Sequence, residues 1–126
     1  MDDETGFRVN RLRRPSLAQR PAAICAGPGQ IVVYANPGFI ESFGPVSIGL
    51  PASEGILGLD RAAFDLLDAV YRTGRPLGRW VERDGAPWRM TASPRLDPET
   101  RRIVGVAFNL RERSDLPLPP TGPPAR

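Results

Sequence analysis

The dipeptide Asp84-Gly85 sits between two runs of strand-forming residues, Leu77 to Arg83 and Ala86 to Ser93. Asp-Gly in that setting predicts a two-residue type I′ hairpin, because both central residues of that turn need positive φ. A turn this tight sets the register: Arg83 faces Ala86, Val81 faces Trp88, Trp80 faces Arg89 and Arg79 faces Met90. Alternation then divides the hairpin. Leu77, Val81, Trp88, Met90 and Ala92 form an apolar core side, and Trp80, Glu82, Arg89 and Thr91 form the other. A chain with this hairpin is committed to an antiparallel sheet with one buried face.

The rest of the chain supplies partners for it. Ile31 to Ala35 is β-branched and aromatic, which predicts a strand. Ala22 to Cys25 is a short apolar run, and Gly27-Pro28-Gly29 between the two makes a second hairpin. Asn36 as N-cap and Pro37 at the first position start a short helix, Pro37 to Phe43, which Gly44-Pro45 stops. Residues 44–60 are punctuated by Gly and Pro, with room for one or two single-turn helices near Ser53 to Leu57. Asp60 caps the strongest helix, Arg61 to Thr73, in which Ala63, Leu66, Leu67 and Val70 line one face and Phe64 and Tyr71 widen it. Asp68 and Arg72 are spaced to pair at i,i+4, and Gly74 and Pro76 end the helix. The last strand, Ile103 to Leu110, is apolar at nearly every position, so both its faces should be covered, as in the middle of a sheet. Alternation leaves open whether Val104, Val106 and Phe108 or Ile103, Gly105 and Ala107 join the outer face.

Composition narrows the class. A chain of 126 residues with 40% hydrophobic and 25% charged residues is one globular domain. Its 15 Pro and 13 Gly require loop or tail. Residues 1–20 read as an arm, with Phe7, Val9 and Leu12 spaced as one short helical stripe that Pro15 ends; residues 114–126 read as a disordered Pro-rich tail. The acidic start Met1-Asp2-Asp3-Glu4 has no apolar stretch behind it, so no secretory signal is expected, and no run is long enough for a membrane span. A lone Cys25 excludes an internal disulfide and points to a reducing, cytoplasmic setting. All 17 basic residues are Arg, which reads as codon bias in a GC-rich genome. The net charge is only +3, and the one basic cluster is Arg8, Arg11, Arg13 and Arg14.

The order and spacing of several segments resemble a PAS domain: Gly29-Gln30-Ile31-Val32-Val33-Tyr34-Ala35-Asn36-Pro37-Gly38-Phe39, Phe43-Gly44, Gly49-Leu50-Pro51, Val70-Tyr71-Arg72-Thr73-Gly74-Arg75-Pro76, Asp84-Gly85-Ala86-Pro87-Trp88-Arg89 and Arg102-Ile103-Val104-Gly105-Val106. The resemblance covers about residues 21–113. It implies an α+β fold, a five-stranded antiparallel sheet of order 2-1-5-4-3 with helices packed on one face. It also implies a pocket between sheet and helices, for which Tyr34, Asn36, Phe39, Phe43, Leu67, Val70, Trp88 and Met90 are the candidate lining, although capping already explains Asn36 and a plain core explains the rest. PAS domains bind small ligands or cofactors, or pair, and pass a signal to a partner. Members that hold haem commonly do so through His, and this chain has none. Those that bond flavin to Cys use an Asn-Cys-Arg-Phe-Leu-Gln type segment on a helix, which nothing here matches. No haem or covalent flavin is therefore expected, and Cys25, on the first strand, reads as a buried structural thiol.

Catalysis has little to work with. Without His no Ser–His or Cys–His unit exists, without Lys no Schiff base, and no Gly-rich phosphate loop is present. Asp97 and Glu99 lie on an Asp-Pro-Glu-Thr loop and read as solvated rather than as a cation site; no metal is expected. Asp60, Asp65 and Asp68 read as a cap and a charged helix face. Arg13-Arg14-Pro15-Ser16-Leu17 resembles a basophilic kinase site at Ser16. The expectation is a stand-alone PAS-type sensory or interaction module that acts in trans, as a homodimer or with a signalling partner. Its interface would be formed by Trp80, Glu82, Arg89 and Phe108 on the outer sheet face and by Phe7, Val9 and Leu12 of the arm. The alternatives are a nucleic-acid-binding domain that uses the Arg-rich arm, disfavoured because no contiguous basic stripe exists, and an uncharacterised pocket enzyme.

Overall fold

A computed structural model describes residues 20–113. The tail, Ser16, the arm's Arg cluster and the expected interface residues Phe7, Val9 and Leu12 lie outside the described residues. The elements run β1 (Ala22–Ala26), β2 (Ile31–Ala35), α1 (Pro37–Phe43), α2 (Ala52–Gly55), α3 (Arg61–Thr73), β3 (Leu77–Arg83), β4 (Ala86–Leu96) and β5 (Ile103–Glu112). The five strands form one antiparallel sheet of order β2-β1-β5-β4-β3. The helices pack on one face of it.

Local chemistry explains the boundaries. Asp84 and Gly85 both have positive φ, 53° and 80°, as a type I′ turn demands, and the β3–β4 register is the one the turn dictates. Asn36 caps α1 by accepting from the Phe39 N–H at 2.8 Å, and Asp60 caps α3 by accepting from the Ala63 N–H at 3.0 Å. Gly74 ends α3 in the left-handed conformation, φ 73°, and donates its N–H to the Val70 carbonyl. The ion pair on α3 among the described residues is Arg61–Asp65 at 3.3 Å, two turns before the expected Asp68–Arg72.

β4 runs three residues past its expected end, through Pro94 to Leu96. Its two prolines stand where it has one neighbour: Pro87 pairs with β3 before pairing with β5 begins, and Pro94 pairs with β5 after β3 has ended. A residue without an N–H is tolerated on such an open edge. The edge of β2 is closed instead by the chain that follows α1. The Val32 N–H donates to the Leu50 carbonyl at 2.9 Å, and Gly49 and Ala52 donate to the Val32 and Gln30 carbonyls at 2.8 Å. An exposed apolar strand edge invites pairing with another chain, so this cover protects the sheet.

The core lies between the sheet and the helices. Ala23, Cys25 and Val32 from β1 and β2, Val81, Met90 and Ala92 from β3 and β4, and Val106, Phe108 and Leu110 from β5 meet Phe39, Phe43, Ile56, Ala63, Leu66, Leu67 and Val70. Two arginines on this face serve its margins. Arg79 donates to the Ala62 carbonyl at 3.3 Å, and the Arg83 guanidinium lies 6.0 Å from the centre of the Phe43 ring. No helix among the described residues is long and apolar enough to cross a membrane.

Candidate functional site

The inner face is filled. A side chain bordering a cavity wide enough for water retains accessible surface; Phe39, Val70, Met90 and Leu110 retain none, and Phe43 and Leu67 about 1%. Phe39 stacks on Phe43 with ring centres 5.0 Å apart, Phe108 stands edge-on to Phe39 at 5.9 Å, and Trp88, partly buried, stands edge-on to Phe43 at 4.9 Å. These residues pack against one another rather than around a space.

Two expected site residues lie on the face opposite to the one expected. Tyr34 is 48% exposed on the outer face. A β-bulge explains this: Ile24 pairs with Tyr34 but Cys25 pairs with Val32, so Val33 is an extra residue that breaks the alternation, and Tyr34 turns outward although Val32, two residues before it, is buried. Phe108 belongs to the core and not to an interface. It pairs with Ala23 on one side and Ala92 on the other, both buried, which settles the phase of β5 with Val106, Phe108 and Leu110 inward. Asn36 is used up by the fold: its Oδ1 accepts from the Phe39 and Ala22 N–H groups and its Nδ2 donates to the Arg20 carbonyl at 2.8 Å.

The outer face is finished in another way. Trp80 is 46% exposed, with the Arg89 guanidinium 5.7 Å from its ring centre. Gly78, two residues along the same strand, makes room for that guanidinium: a Cβ there would sit 2.9 Å from Arg89 Nη2. Arg111 pairs across from Arg89, and Glu82 is exposed on the same face. Between this corner and Tyr34 the face carries small or polar residues, Ala22, Ala107, Ser93, Thr91 and Asn109, and the partly buried Ile24, which lies between Ala107 and Tyr34.

A third feature is absent from the sequence pattern. A pocket of about 120 Å³ opens at the rim, where the β1–β2 turn meets the start of α2 and the side of α3. Gln30 is on its wall, only 7% exposed and in the left-handed conformation, φ 53°. Its Nε2 donates to the Leu67 carbonyl at 3.2 Å, and its Oε1 is buried without a partner among the described residues. Of the expected pocket residues only Leu67 borders this space.

No family model and no curated protein matches the chain. Solved structures do. The PAS domain of histidine kinase ThkA aligns with 72% of this chain over 98% of its own length, at 14% identity and TM-score 0.60. A light-oxygen-voltage domain studied with a flavin analogue aligns with 78% of it over 80% of its own length, at 18% identity and TM-score 0.57. Vibrio cholera VqmA, in complex with ligand and DNA, aligns with 84% at 18% identity and TM-score 0.61, while this chain spans 49% of VqmA.

This chain has a PAS fold.

Within the PAS fold two further groups, Cys25 and Asp97, are held by their surroundings. Cys25 is a free thiol on the core side of β1, and burial pushes its pKa up to about 11. It is therefore neutral and unreactive at physiological pH. Asp97 Oδ2 accepts from the Thr100 N–H at 2.8 Å, the Thr100 hydroxyl at 2.9 Å and the Glu99 N–H at 3.2 Å. Those bonds hold its carboxyl below the usual carboxylate range and spend it on closing its own turn.

Proposed function

We propose that this PAS-fold chain is a sensory or interaction module of signal transduction, and that it works through the outer face of its sheet by pairing with a second copy of itself. The observation that carries the reading is the contrast between a filled inner face and an outer face that leaves Trp80 half exposed beside Arg89. Trp and Arg are the residue types enriched at interface hot spots. The face is also self-complementary in charge: Glu82 stands on the same side as Arg89 and Arg111, which suits a two-fold pair in which each copy offers both signs. Among the structural neighbours, one belongs to a histidine kinase and VqmA is described as a dimer.

The reading includes no catalytic step, no haem and no covalent flavin, and it sets the protein in the cytoplasm. The absence of His, the placement of the lone thiol on β1 and the packed inner face support the cofactor part. Multi-angle light scattering across a concentration series tests the pairing. Wild-type protein runs as a dimer, and Trp80→Ala with Glu82→Arg runs as a monomer with unchanged circular dichroism. A wild-type chain that stays monomeric at high concentration overturns self-association.

A further inference from the structure

The rim pocket is walled by Gln30, the buried polar residue among the described residues, and the fold leaves its amide oxygen without a partner. Gln30 carries two costs at once. A non-glycine residue at φ 53° occupies a sparsely populated conformation, and a buried acceptor without a partner forfeits its lost hydration. Two costs on one residue, at the wall of a pocket, point to use of that residue. The bond from Nε2 to the Leu67 carbonyl determines which half of the amide is spare: the oxygen. A group that satisfies it must therefore donate. Oε1 is itself buried, and the soft terminal torsion that turns it toward a donor in the pocket carries Nε2 with it, so binding strains the bond to Leu67 as it satisfies the oxygen.

The other walls define the rest of the ligand. Asp68 is the sole ionised side chain on the lining, and no cation among the described residues pairs with it. Ser53 adds a hydroxyl, while Phe64, Leu67 and Pro51 offer apolar surface. A volume of about 120 Å³ is room for roughly four waters, or for one ring with a small substituent. We propose that the rim pocket is a binding site for a small organic cation that has N–H donors on a flat apolar body, an amidine or protonated amine, with Gln30 Oε1 and the Asp68 carboxylate as its acceptors. The site is separate from the outer sheet face, so pairing and ligand binding fail or succeed independently.

Benzamidine is a suitable probe, and benzoate, of like shape and opposite charge, the control. In a titration of the full ¹⁵N-labelled chain, benzamidine shifts the backbone signals of Gln30, Ser53 and Asp68 saturably, and benzoate does not. Asp68→Asn, at an exposed position, leaves the spectrum folded and weakens binding at least fivefold. Gln30→Leu weakens it at least tenfold while the urea midpoint holds or rises, because the unpartnered amide is gone. A merely structural Gln30 would instead lose stability with its bond to Leu67 and leave benzamidine binding as it was, which overturns the proposal. So does an absence of shifts, the result for a pocket that holds only water, and so does equal binding of benzoate.

Discussion

The two faces of the sheet are made by alternate residues of the same strands, and they put their aromatic rings to different ends. On the inner face Phe39, Phe43, Phe108 and Trp88 find ring neighbours 4.9 to 5.9 Å away and lose most or all of their exposure. On the outer face Trp80 has a guanidinium for a neighbour and Tyr34 is turned to solvent by a bulge. An aromatic ring stabilises a fold only when its surface leaves water, so the first set serves folding and the second is left for contact.

That contrast can be broken most directly at Phe39. Phe39→Ala removes a ring with no exposed surface from the centre of the core and should cost about 3–5 kcal/mol, read from urea unfolding. Phe108→Ala should fall in the same range; a change in self-association without loss of stability would return that ring to the outer face. Cys25 gives the next largest effect. Its folded pKa, about 11, lies above the ordinary 9.0, so the folded state keeps the proton longer. Its contribution is complete below pH 9 and is lost as pH rises toward 11, by about 2–3 kcal/mol. Unfolding measured from pH 8 to 11 should fall more steeply for the wild type than for Cys25→Ala. Trp80→Ala, by contrast, should change folding stability by less than about 1 kcal/mol while weakening pairing at least tenfold. Asp97→Ala is the smallest change. Because the folded pKa is lowered, the carboxylate stabilises its turn above the ordinary carboxylate range and that support is lost as pH falls through its folded value. A slight drop in melting temperature at pH 7 should vanish in strong acid.

What was legible in the sequence follows the range of the signal. The Asp84-Gly85 turn, the Asn36 and Asp60 caps and the Gly74 stop act within a few residues, and each stands as read. The phase of β5 is open in the sequence because the Asp97–Arg102 connection is not a two-residue turn, so it conveys no register; pairing with β4 and β1 decides it. The face of Tyr34 is hidden from the sequence because one unpaired residue, Val33, inverts every face after it and leaves no mark in a run of β-branched side chains. Gln30 gave no signal at all. Its burial comes from packing against α3, and its bond reaches the carbonyl of Leu67, 37 residues away.

The seam at the middle of the sheet joins its first strand to its last. Ala22 lies opposite Asn109 and Ala26 opposite Gly105. The β3–β4 hairpin closes over two residues, an event on the order of microseconds, but the β1–β5 seam needs most of the domain to be present first. On the ribosome, β1 emerges with β2 as its only partner, and its other edge waits through the synthesis of every helix. The last strand therefore acts as a clasp: without β5 the strand order leaves two separate pairs, β2-β1 and β4-β3, and with it they become one sheet.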